Sequence, residues 1–391
     1  MRRFIGTFFA GLAGMVVLGA GINLAVDPYG VFGTPLVEGF NREKPQGEAQ
    51  PYLAKTYLVE RAQPKTLLVG NSRIQSGLDP ESEAWPADAR PVFNFGIGGA
   101  NLYANYRLLQ HSLAVSTPSL VVIGLAVEDT LDVARTTEDY QPRLRVDAGG
   151  GPNRELWRAR AQDAAFALLS LTALGDSLIT VWQQGRPGVS KMTPLGFNDG
   201  GGMTAAAEAE GYHSLFKAKE RKKAEVALRW ARHPGYDLKP LRDMIRLSLD
   251  HGARVVVFLS PGHVGELEIY RRNGLTDAHL HWKDEVTAMV KQFADDGAKV
   301  ALWDFGGVSR YTSETVPPVG DRRTPMAWFW EINHFKPALG RLIIARMMGH
   351  GPADLGVELT ASGVVPKGAQ ACGLGSGFAQ PVADTDGKDC R

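Results

Sequence analysis

The chain has 391 residues, of which 44% are hydrophobic and 22% are charged, a composition typical of a globular protein that buries a sizeable core. Its 43 lysine and arginine residues nearly balance 42 aspartate and glutamate residues, leaving a formal net charge of +1. The hydrophobic content excludes a disordered chain. The nearly equal numbers of positive and negative charges provide no summed field that would draw the protein to nucleic acid or to an anionic membrane surface.

The first feature along the chain is an uncharged apolar run at residues 4–26, preceded by Arg2 and Arg3. As an α-helix this run reaches about 34 Å, enough to cross the hydrocarbon core of a bilayer. It is longer than the apolar region of a secretory signal peptide, so we predict an uncleaved anchor, with cleavage near residues 19–21 as the alternative. The two arginines predict a cytoplasmic N-terminus, which leaves the main domain outside the inner membrane, in the periplasm of a bacterium.

Short apolar runs and helical patterns alternate along the rest of the chain. Five runs predict strands buried on both faces, at residues 66–69, 91–95, 120–125, 254–259 and 299–303. Helices are predicted between and around them, at residues 52–62, 102–113, 238–251, 284–295 and 337–348. This alternation predicts an α/β fold, namely a three-layer α/β/α sandwich built on a mostly parallel five-stranded sheet.

We predict three segments: a tip and anchor at residues 1–26, a main domain at 27–350, and a Gly- and Pro-rich tail at 351–391 that is poorly ordered. The main domain carries a helical insertion at about residues 130–235, which is much longer than an ordinary loop. Because helices are predicted within it at residues 154–184 and 205–232, we expect the insertion to form a cap or lid over one edge of the sheet.

Neither the cysteines nor the histidines predict a metal site, and we predict no cofactor. Cys372 and Cys390 both lie in the tail, where they either pair in an oxidising periplasm or remain incidental thiols of a poorly ordered segment. His279 and His281 are two positions apart, so on a helix their side chains point to different sides.

Polar residues follow the predicted strands, at the edge where open parallel sheets bind their ligands. Ser72 follows the first strand, a glycine-rich segment at residues 96–99 follows the second, and Glu331 stands one helical turn before His334 near the last helix. A serine becomes a nucleophile when a base takes its proton and a third group orients that base. Each piece also has a structural explanation, as a helix cap, a tight turn or a surface pair, but their order along the chain favours catalysis by Ser72, His334 and Glu331.

These motifs resemble the SGNH (GDSL-like) hydrolase superfamily. Residues 70–72 match its Gly-Asp-Ser block except at Asn71, and Glu331-Ile-Asn-His334 is similar to its Asp-x-x-His block with Glu in place of Asp. The segment at residues 94–99 resembles its second block, which implies that the N–H groups of Gly99 and Ser72 form the oxyanion hole. Residues 124–127 lack the asparagine of its third block, and losing one oxyanion donor typically costs about 10²–10³ in rate.

A closer resemblance is to the membrane-anchored periplasmic SGNH-like proteins of polysaccharide O-acetylation, the alginate acetylation type. The segments that carry it are the apolar anchor, DPYG at 27–30, GNSR at 70–73, SPGH at 260–263 and WEINHF at 330–335. It implies a serine O-acetyltransferase or acyl esterase that takes an acyl group from a membrane-bound O-acyltransferase and passes it to a polysaccharide hydroxyl. The alternative, favoured by the missing asparagine, is an inactive SGNH fold that binds polysaccharide or docks on a complex.

Three further residues at the same sheet edge are candidates for substrate contact. Arg73, beside the serine, either binds an anionic sugar or orients the loop. His263, which follows the fourth strand, is a substrate contact, a second base or a loop-closing residue. Asn101 follows the glycine-rich segment after the second strand.

Overall fold

The computed structural model describes residues 1–131 and 141–362, and within them a six-stranded, mostly parallel sheet organises the main domain. The strands are β1 (Thr66–Val69), β2 (Val92–Asn94), β3 (Leu120–Leu125), β4 (Arg254–Leu259), β5 (Val300–Asp304) and β6 (Val357–Glu358). The predicted α/β class and the mostly parallel sheet are confirmed. The predicted number of five strands is wrong, because the two-residue β6 pairs antiparallel with β5 from within the segment assigned to the tail.

The helices predicted at residues 52–62, 102–113, 238–251 and 337–348 lie within one residue of their predicted bounds, whereas the one predicted at 284–295 begins eight residues earlier, at Thr276. Helices surround the strands throughout the described chain. They are α1 (Arg2–Val26), α2 (Pro45–Ala49), α3 (Pro51–Ala62), α4 (Ser72–Gly77), α5 (Leu102–Leu113), α6 (Glu128–Leu131), α7 (Leu156–Leu169), α8 (Leu171–Gln183), α9 (Gly201–Glu210), α10 (Tyr212–Arg232), α11 (Lys239–Asp250), α12 (Val264–Arg272), α13 (Thr276–Asp295), α14 (Pro337–Met347) and α15 (Leu359–Ser362).

The strands β1 and β3 are buried along their whole length, which explains why their sequences are continuous apolar runs with no polar alternation. They pair in parallel register, with Leu67 opposite Val121 and Val69 opposite Ile123. Complete burial of a side chain of this size stabilises the fold by about 1.5–3 kcal/mol relative to leaving it exposed. The centre of the sheet is therefore a rigid support for the loops at its edge.

The order of the sheet is β2-β1-β3-β4-β5-β6, so the chain leaves β1 toward one side for β2 and returns across β1 to reach β3. In open parallel sheets, such a reversal opens a crevice beyond the carboxyl ends of the two central strands, where ligands bind. Ser72 begins α4 directly after β1, and Glu128 begins α6 after β3. The fold therefore places the candidate serine at the crevice.

The insertion differs from the single cap predicted for it. Its first predicted helix is two helices, α7 and α8, bent by 64° at Ser170, whose hydroxyl caps α8 by accepting from the Ala173 N–H at 3.0 Å. Gly211, with φ of 82°, likewise separates α9 from α10. Helices α7 and α8 pack against α1, whereas α10 packs against α12 near the carboxyl edge of the sheet. Only the second half of the insertion therefore lies near the candidate site.

Helix α1 is long and apolar enough to cross a membrane, with a mean hydropathy of 2.0 over its most apolar window. The predicted N-terminal apolar helix is therefore confirmed, and it has the length and composition of a single-pass anchor or a signal sequence. Its last carbonyl groups are capped by the buried side chain of Lys44, whose Nζ donates to the Val26 carbonyl at 3.0 Å and the Asp27 carbonyl at 2.7 Å. This contact fixes the end of α1 to the main domain.

Candidate active site

Ser72 is the first residue of α4, at the sharp turn that follows β1. The turn requires glycine at position 70, because a Cβ there would lie 2.4 Å from Cγ1 of Ile74 and 2.9 Å from the Gly124 carbonyl oxygen. Asn71 caps the helix, since its side-chain oxygen accepts from the Arg73 N–H at 2.8 Å. The serine is therefore held at the start of a helix, with its side chain partly exposed.

The structure brings Ser72, His334 and Glu331 together in one hydrogen-bonded series. The Ser72 Oγ lies 2.7 Å from Nε2 of His334, and Nδ1 of His334 hydrogen-bonds the Glu331 carboxylate. Because a carboxylate only accepts, this contact assigns the ring proton to Nδ1 and leaves Nε2 free to accept the serine proton. This is the geometry that activates a serine as a nucleophile.

The loop that carries Glu331 and His334 is held by its own backbone and by a neighbouring strand end. Oε2 of Glu331 accepts from the Asn333 N–H at 3.0 Å, so the carboxylate that orients the imidazole also closes the turn. The His263 N–H donates to the Ile332 carbonyl at 2.9 Å, and the Trp330 N–H donates to the His334 carbonyl at 3.0 Å. The base is therefore oriented by contacts from both ends of its loop.

Glu331 is buried and remains ionised. Burial alone would raise its pKa, but the nearby His334, the Lys219 ammonium 3.8 Å away and the Asn333 N–H together lower the pKa to about 2. Lys219 belongs to α10, so the second half of the insertion contributes a positive charge to the site. An ionised carboxylate on Nδ1 favours protonation of the imidazole during attack.

The glycine-rich segment approaches the serine from the adjacent strand end. A Cβ on Gly98 would lie 3.8 Å from the Ser72 Cβ, and Gly99 adopts φ of 76°, a left-handed conformation that favours glycine. Among residues 1–131 and 141–362, the N–H groups of Ser72 and Gly99 have no hydrogen-bond acceptor. Two unpaired N–H groups beside a nucleophile are what an oxyanion hole requires.

This glycine-rich segment is fixed to the helix that carries the serine. The Asn94 side chain donates to the carbonyl groups of Ile74 at 2.7 Å and Leu78 at 2.8 Å, and its oxygen accepts from the Gly96 N–H at 2.9 Å. Nζ of the buried Lys55 donates to the Asn94 carbonyl at 3.2 Å from the other side. The end of β2 and the start of α4 therefore move as one unit.

Shortly after β3, beyond residues 124–127, a carboxylate supports the serine loop. Asp129 accepts from Nδ2 of Asn71 at 2.8 and 3.0 Å and from the Ala126 N–H at 2.9 Å. Burial, with the adjacent Glu128, raises the pKa of Asp129 to about 7, against the effect of the donated hydrogen bonds. Asn71 therefore connects the nucleophile to β3 without replacing the missing oxyanion donor.

Two of the three residues considered for substrate contact are engaged within the protein, which corrects that expectation. Arg73 is only 3% exposed, and its guanidinium pairs with Glu128 and Glu266, each at 2.7 Å. His263 is 4% exposed; its Nδ1 accepts from the Gly265 N–H at 3.1 Å and its Nε2 donates to the Glu314 carbonyl at 2.7 Å. The loop-orienting alternatives are the ones that fit.

Asn101 remains a candidate for substrate contact. Its side-chain oxygen caps α5 by accepting from the Ala104 N–H at 2.9 Å, but the residue is partly exposed and lies two positions after Gly99.

The tail cysteines, Cys372 and Cys390, lie outside the described residues.

Lysines 219 and 223 on α10 and the network around Arg73 were not anticipated from the sequence. Nζ of Lys223 lies 2.8 Å from Glu128 Oε1 and also pairs with Glu266, and the Tyr270 hydroxyl donates to Glu266 at 3.2 Å. The position of Glu128 directly after β3 was a usable signal. The two lysines offered no such signal, since they are two of seven lysine and arginine residues on α10.

Within the described residues, no group of three or more His, Cys, Asp or Glu side chains could hold a metal ion. His279 stacks on Trp282, with ring centroids 5.8 Å apart, and burial lowers its pKa to about 3.

No family model matches the chain, and no curated protein matches it. The likeness to the SGNH superfamily therefore rests on the short motifs and on the geometry of the site.

Proposed function

We propose that the protein is a serine acyltransferase or acyl esterase of the SGNH type, with the three-layer α/β/α arrangement of that superfamily. Ser72 is the nucleophile, His334 the general base and Glu331 the group that orients it. The observation that carries this proposal is the series Ser72 Oγ, His334 Nε2 at 2.7 Å, and His334 Nδ1 on Glu331. Side chains from two distant parts of the sequence, residue 72 and residues 331–334, meet in the order that nucleophilic catalysis requires.

In the first step, Ser72 Oγ attacks the acyl carbonyl carbon while its proton passes to Nε2 of His334. The negative charge on the carbonyl oxygen is held by the N–H groups of Ser72 and Gly99. When the tetrahedral intermediate collapses, the imidazolium returns its proton to the leaving oxygen, so an acyl-serine and an alcohol are formed. Glu331 stabilises the imidazolium during both transfers.

In the second step, His334 takes a proton from an acceptor hydroxyl, which attacks the acyl-serine and regenerates the free enzyme. We propose that the acceptor is a hydroxyl of a cell-surface or exported polysaccharide, with an acetyl group supplied by a membrane-bound O-acyltransferase. Water replaces the sugar when no acceptor is present. This part of the proposal is supported by the order of motifs at residues 27–30, 70–73, 260–263 and 330–335.

We further propose that α1 remains attached and crosses the bacterial inner membrane, with the main domain in the periplasm. The length and hydropathy of α1 support this placement, as do the two arginines that precede the apolar run. An anchored enzyme would work beside the membrane protein that supplies its acyl group.

The proposal is tested by labelling the full chain in detergent micelles with a fluorophosphonate probe and measuring hydrolysis of a chromogenic acetyl ester. We expect the wild-type chain to be labelled on Ser72, and Ser72→Ala to lose both labelling and hydrolysis. Ser76→Ala, which removes a hydroxyl one turn further along α4, is the matched control and should retain both activities.

Wild-type labelling at Ser72 that disappears only in Ser72→Ala would support the proposal. If Ser72→Ala hydrolysed the ester at the wild-type rate, the assignment of the nucleophile would be wrong. If the folded wild-type chain reacted with neither reagent, the alternative of an inactive SGNH fold that binds polysaccharide or docks on a complex would be favoured. The absent third-block asparagine is the feature that supports this alternative.

A further inference from the structure

Helix α8 has the reverse of the polarity expected at a protein surface. Its outward face carries large apolar side chains, of which Leu171 is 84% exposed, Leu178 59% and Trp182 59%. Its buried face is made of Ala173, Ser177 and Thr180. A surface helix in water hides its apolar face and exposes its polar one, so the surroundings of α8 are less polar than its protein neighbours.

Helix α7 shows a gradient of polarity toward the corner that it forms with α8. Its exposed residues in the first half include Arg158 and Gln162 beside Trp157, whereas in the half nearest the corner all of them are apolar, among them Phe166 and Leu169. The apolar surface of the pair is therefore concentrated at the corner and along α8.

This apolar surface continues the surface of α1. A Cβ on Gly19 would lie 3.7 Å from Leu174, and the Ser177 hydroxyl donates to Oδ1 of Asn23 at 2.9 Å. The Asn23 side chain also donates to the carbonyl groups of Leu168 at 3.0 Å and Ser170 at 3.5 Å, so the corner between α7 and α8 lies beside residues 19–23 of α1.

The length of α1 determines where this corner lies when the helix crosses a bilayer. The exposed part of α1, residues 2–18, is about 25 Å long, whereas a hydrocarbon core is about 30 Å thick. The missing thickness has to be spanned by residues 19–23, which are the ones packed against α8. Tilting α1 would use still more of its length and would draw α8 deeper.

We propose that α7 and α8 form a second membrane-seated element, whose corner enters the outer leaflet beside α1 while Trp182 lies at the interface. The guanidinium of Arg186 stands 3.9 Å from the Trp182 ring, an arrangement suited to the headgroup region. Asn23, a polar residue within the span, is satisfied by Ser177 and by the Leu168 carbonyl at 3.0 Å, as a hydrocarbon environment requires.

This element would set the orientation of the catalytic domain on the membrane. Asp163 of α7 accepts from the Tyr57 hydroxyl of α3 at 3.1 Å, and Lys55 of the same helix donates to the Asn94 carbonyl at the end of β2, so α7 is tied to a helix that contacts the candidate site. A single helix leaves a domain free to rotate about its axis, whereas a second contact beside it does not. The candidate site would then keep a fixed height and direction relative to the bilayer.

The test uses the full chain with Cys372→Ser and Cys390→Ser, into which single cysteines are placed and labelled with an environment-sensitive fluorophore. The probe positions are Leu171→Cys and Trp182→Cys on α8, Val16→Cys on α1 as the anchor reference, and Val319→Cys as an exposed apolar control. The proteins are reconstituted in phosphatidylethanolamine and phosphatidylglycerol vesicles that contain lipids spin-labelled near the headgroup or deep in the chain.

We expect Val16→Cys and Leu171→Cys to be quenched by the deep label, Trp182→Cys mainly by the shallow label, and Val319→Cys by neither. The inference rests on α1 lying in the bilayer, and the Val16→Cys probe tests that placement separately from serine labelling. If Val16→Cys were quenched but Leu171→Cys behaved like Val319→Cys, the inference would be overturned, and the α8 face would be one for a partner protein. If neither were quenched, both the anchor and the inference would fail, whatever the outcome of serine labelling.

Discussion

Ser72 and Arg73 are neighbours on α4, yet they serve two regions of opposite character. Ser72 is partly exposed, its N–H has no acceptor among the described residues, and its hydroxyl meets a single base. Arg73 is buried, and its guanidinium donates to Glu128, Glu266 and the Pro261 carbonyl. Two adjacent residues of α4 therefore face a region with unused backbone donors and a region of paired buried charges.

The difference indicates that the two regions have different roles. The surroundings of Ser72 provide reactivity, and the network around Arg73 supports the fold. Buried charges are tolerated when they are paired, and the Arg73 network pairs two cations with two carboxylates at the carboxyl ends of β3 and β4. The serine needs the reverse, since an incoming carbonyl oxygen has to find donors that the protein has not already used. Variants in the two regions should therefore fail in different ways.

The largest effect is expected from His334→Ala, which removes the base but leaves Ser72 in place. General base catalysis by a positioned side chain contributes about 10²–10⁴ in rate, so fluorophosphonate labelling and acetyl ester hydrolysis should slow by that factor. The thermal midpoint should also fall, because the buried Glu331 carboxylate loses its hydrogen bond to Nδ1 of His334. Both quantities are measured on the full chain in detergent.

The matched control for this comparison is His350→Ala, which removes an exposed imidazole that is not part of the triad. It should react at the wild-type rate. Equal labelling of His334→Ala and His350→Ala would contradict the role of His334 as the base.

The next largest effect is expected on stability, from Arg73→Met. Removing one member of a buried ion pair leaves an uncompensated charge, which typically destabilises a protein by about 3–5 kcal/mol. Here Glu128 and Glu266 would share the single cation of Lys223. Urea unfolding of the full chain in detergent, followed by tryptophan fluorescence, measures the loss.

Arg310→Met is the control for Arg73→Met, because Arg310 pairs with Asp354 at 2.9 Å while 70% of its side chain is exposed. Exposed ion pairs add little, so we expect no measurable change. The folded fraction of Arg73→Met should still label at Ser72 within the same order of magnitude as the wild type. Similar unfolding of the two variants would show that the Arg73 network does not support the fold.

The sequence predicted those parts of the fold in which local pattern and final environment agree. The strands β1, β3 and β4 were predicted to the residue, because each is a largely apolar run bounded by polar or turn residues and is buried, apart from Arg254 at the start of β4. The break between α7 and α8 was missed, because Ser170 stands in an apolar stretch with neither Pro nor Gly beside it. The two-residue β6 has no pattern of its own and exists only through its pairing with β5.

The candidate site divides in the same way. Ser72, Glu331 and His334 were identifiable because the edge of a parallel sheet gathers the residues that follow its strands, and because Glu331 and His334 are only three positions apart in the sequence. The contacts of Lys219 with Glu331 and of Lys223 with Glu128 depend on how α10 packs over that edge. Such long-range packing leaves no periodic signal in the sequence. Because basic residues are distributed along the whole of α10, nothing in the sequence distinguished these two lysines from the others.

The smallest effect is expected from Glu331→Gln, as a change in how the free energy of unfolding depends on pH. The pKa of Glu331 is lowered to about 2 in the folded chain from an ordinary value of 4.5, so its charge stabilises the fold above pH 4.5. That stabilisation is lost as the pH falls from 4.5 toward 2, because the folded carboxylate finally takes up the proton that the unfolded chain already holds. The free energies of unfolding of wild type and Glu331→Gln, measured in urea between about pH 3 and 6, should therefore converge toward low pH, since only the wild type carries this ionisation. A difference that stays constant over this range would mean that the charge of Glu331 is not stabilised by His334 and Lys219, and that the carboxylate contributes only the shape of its turn.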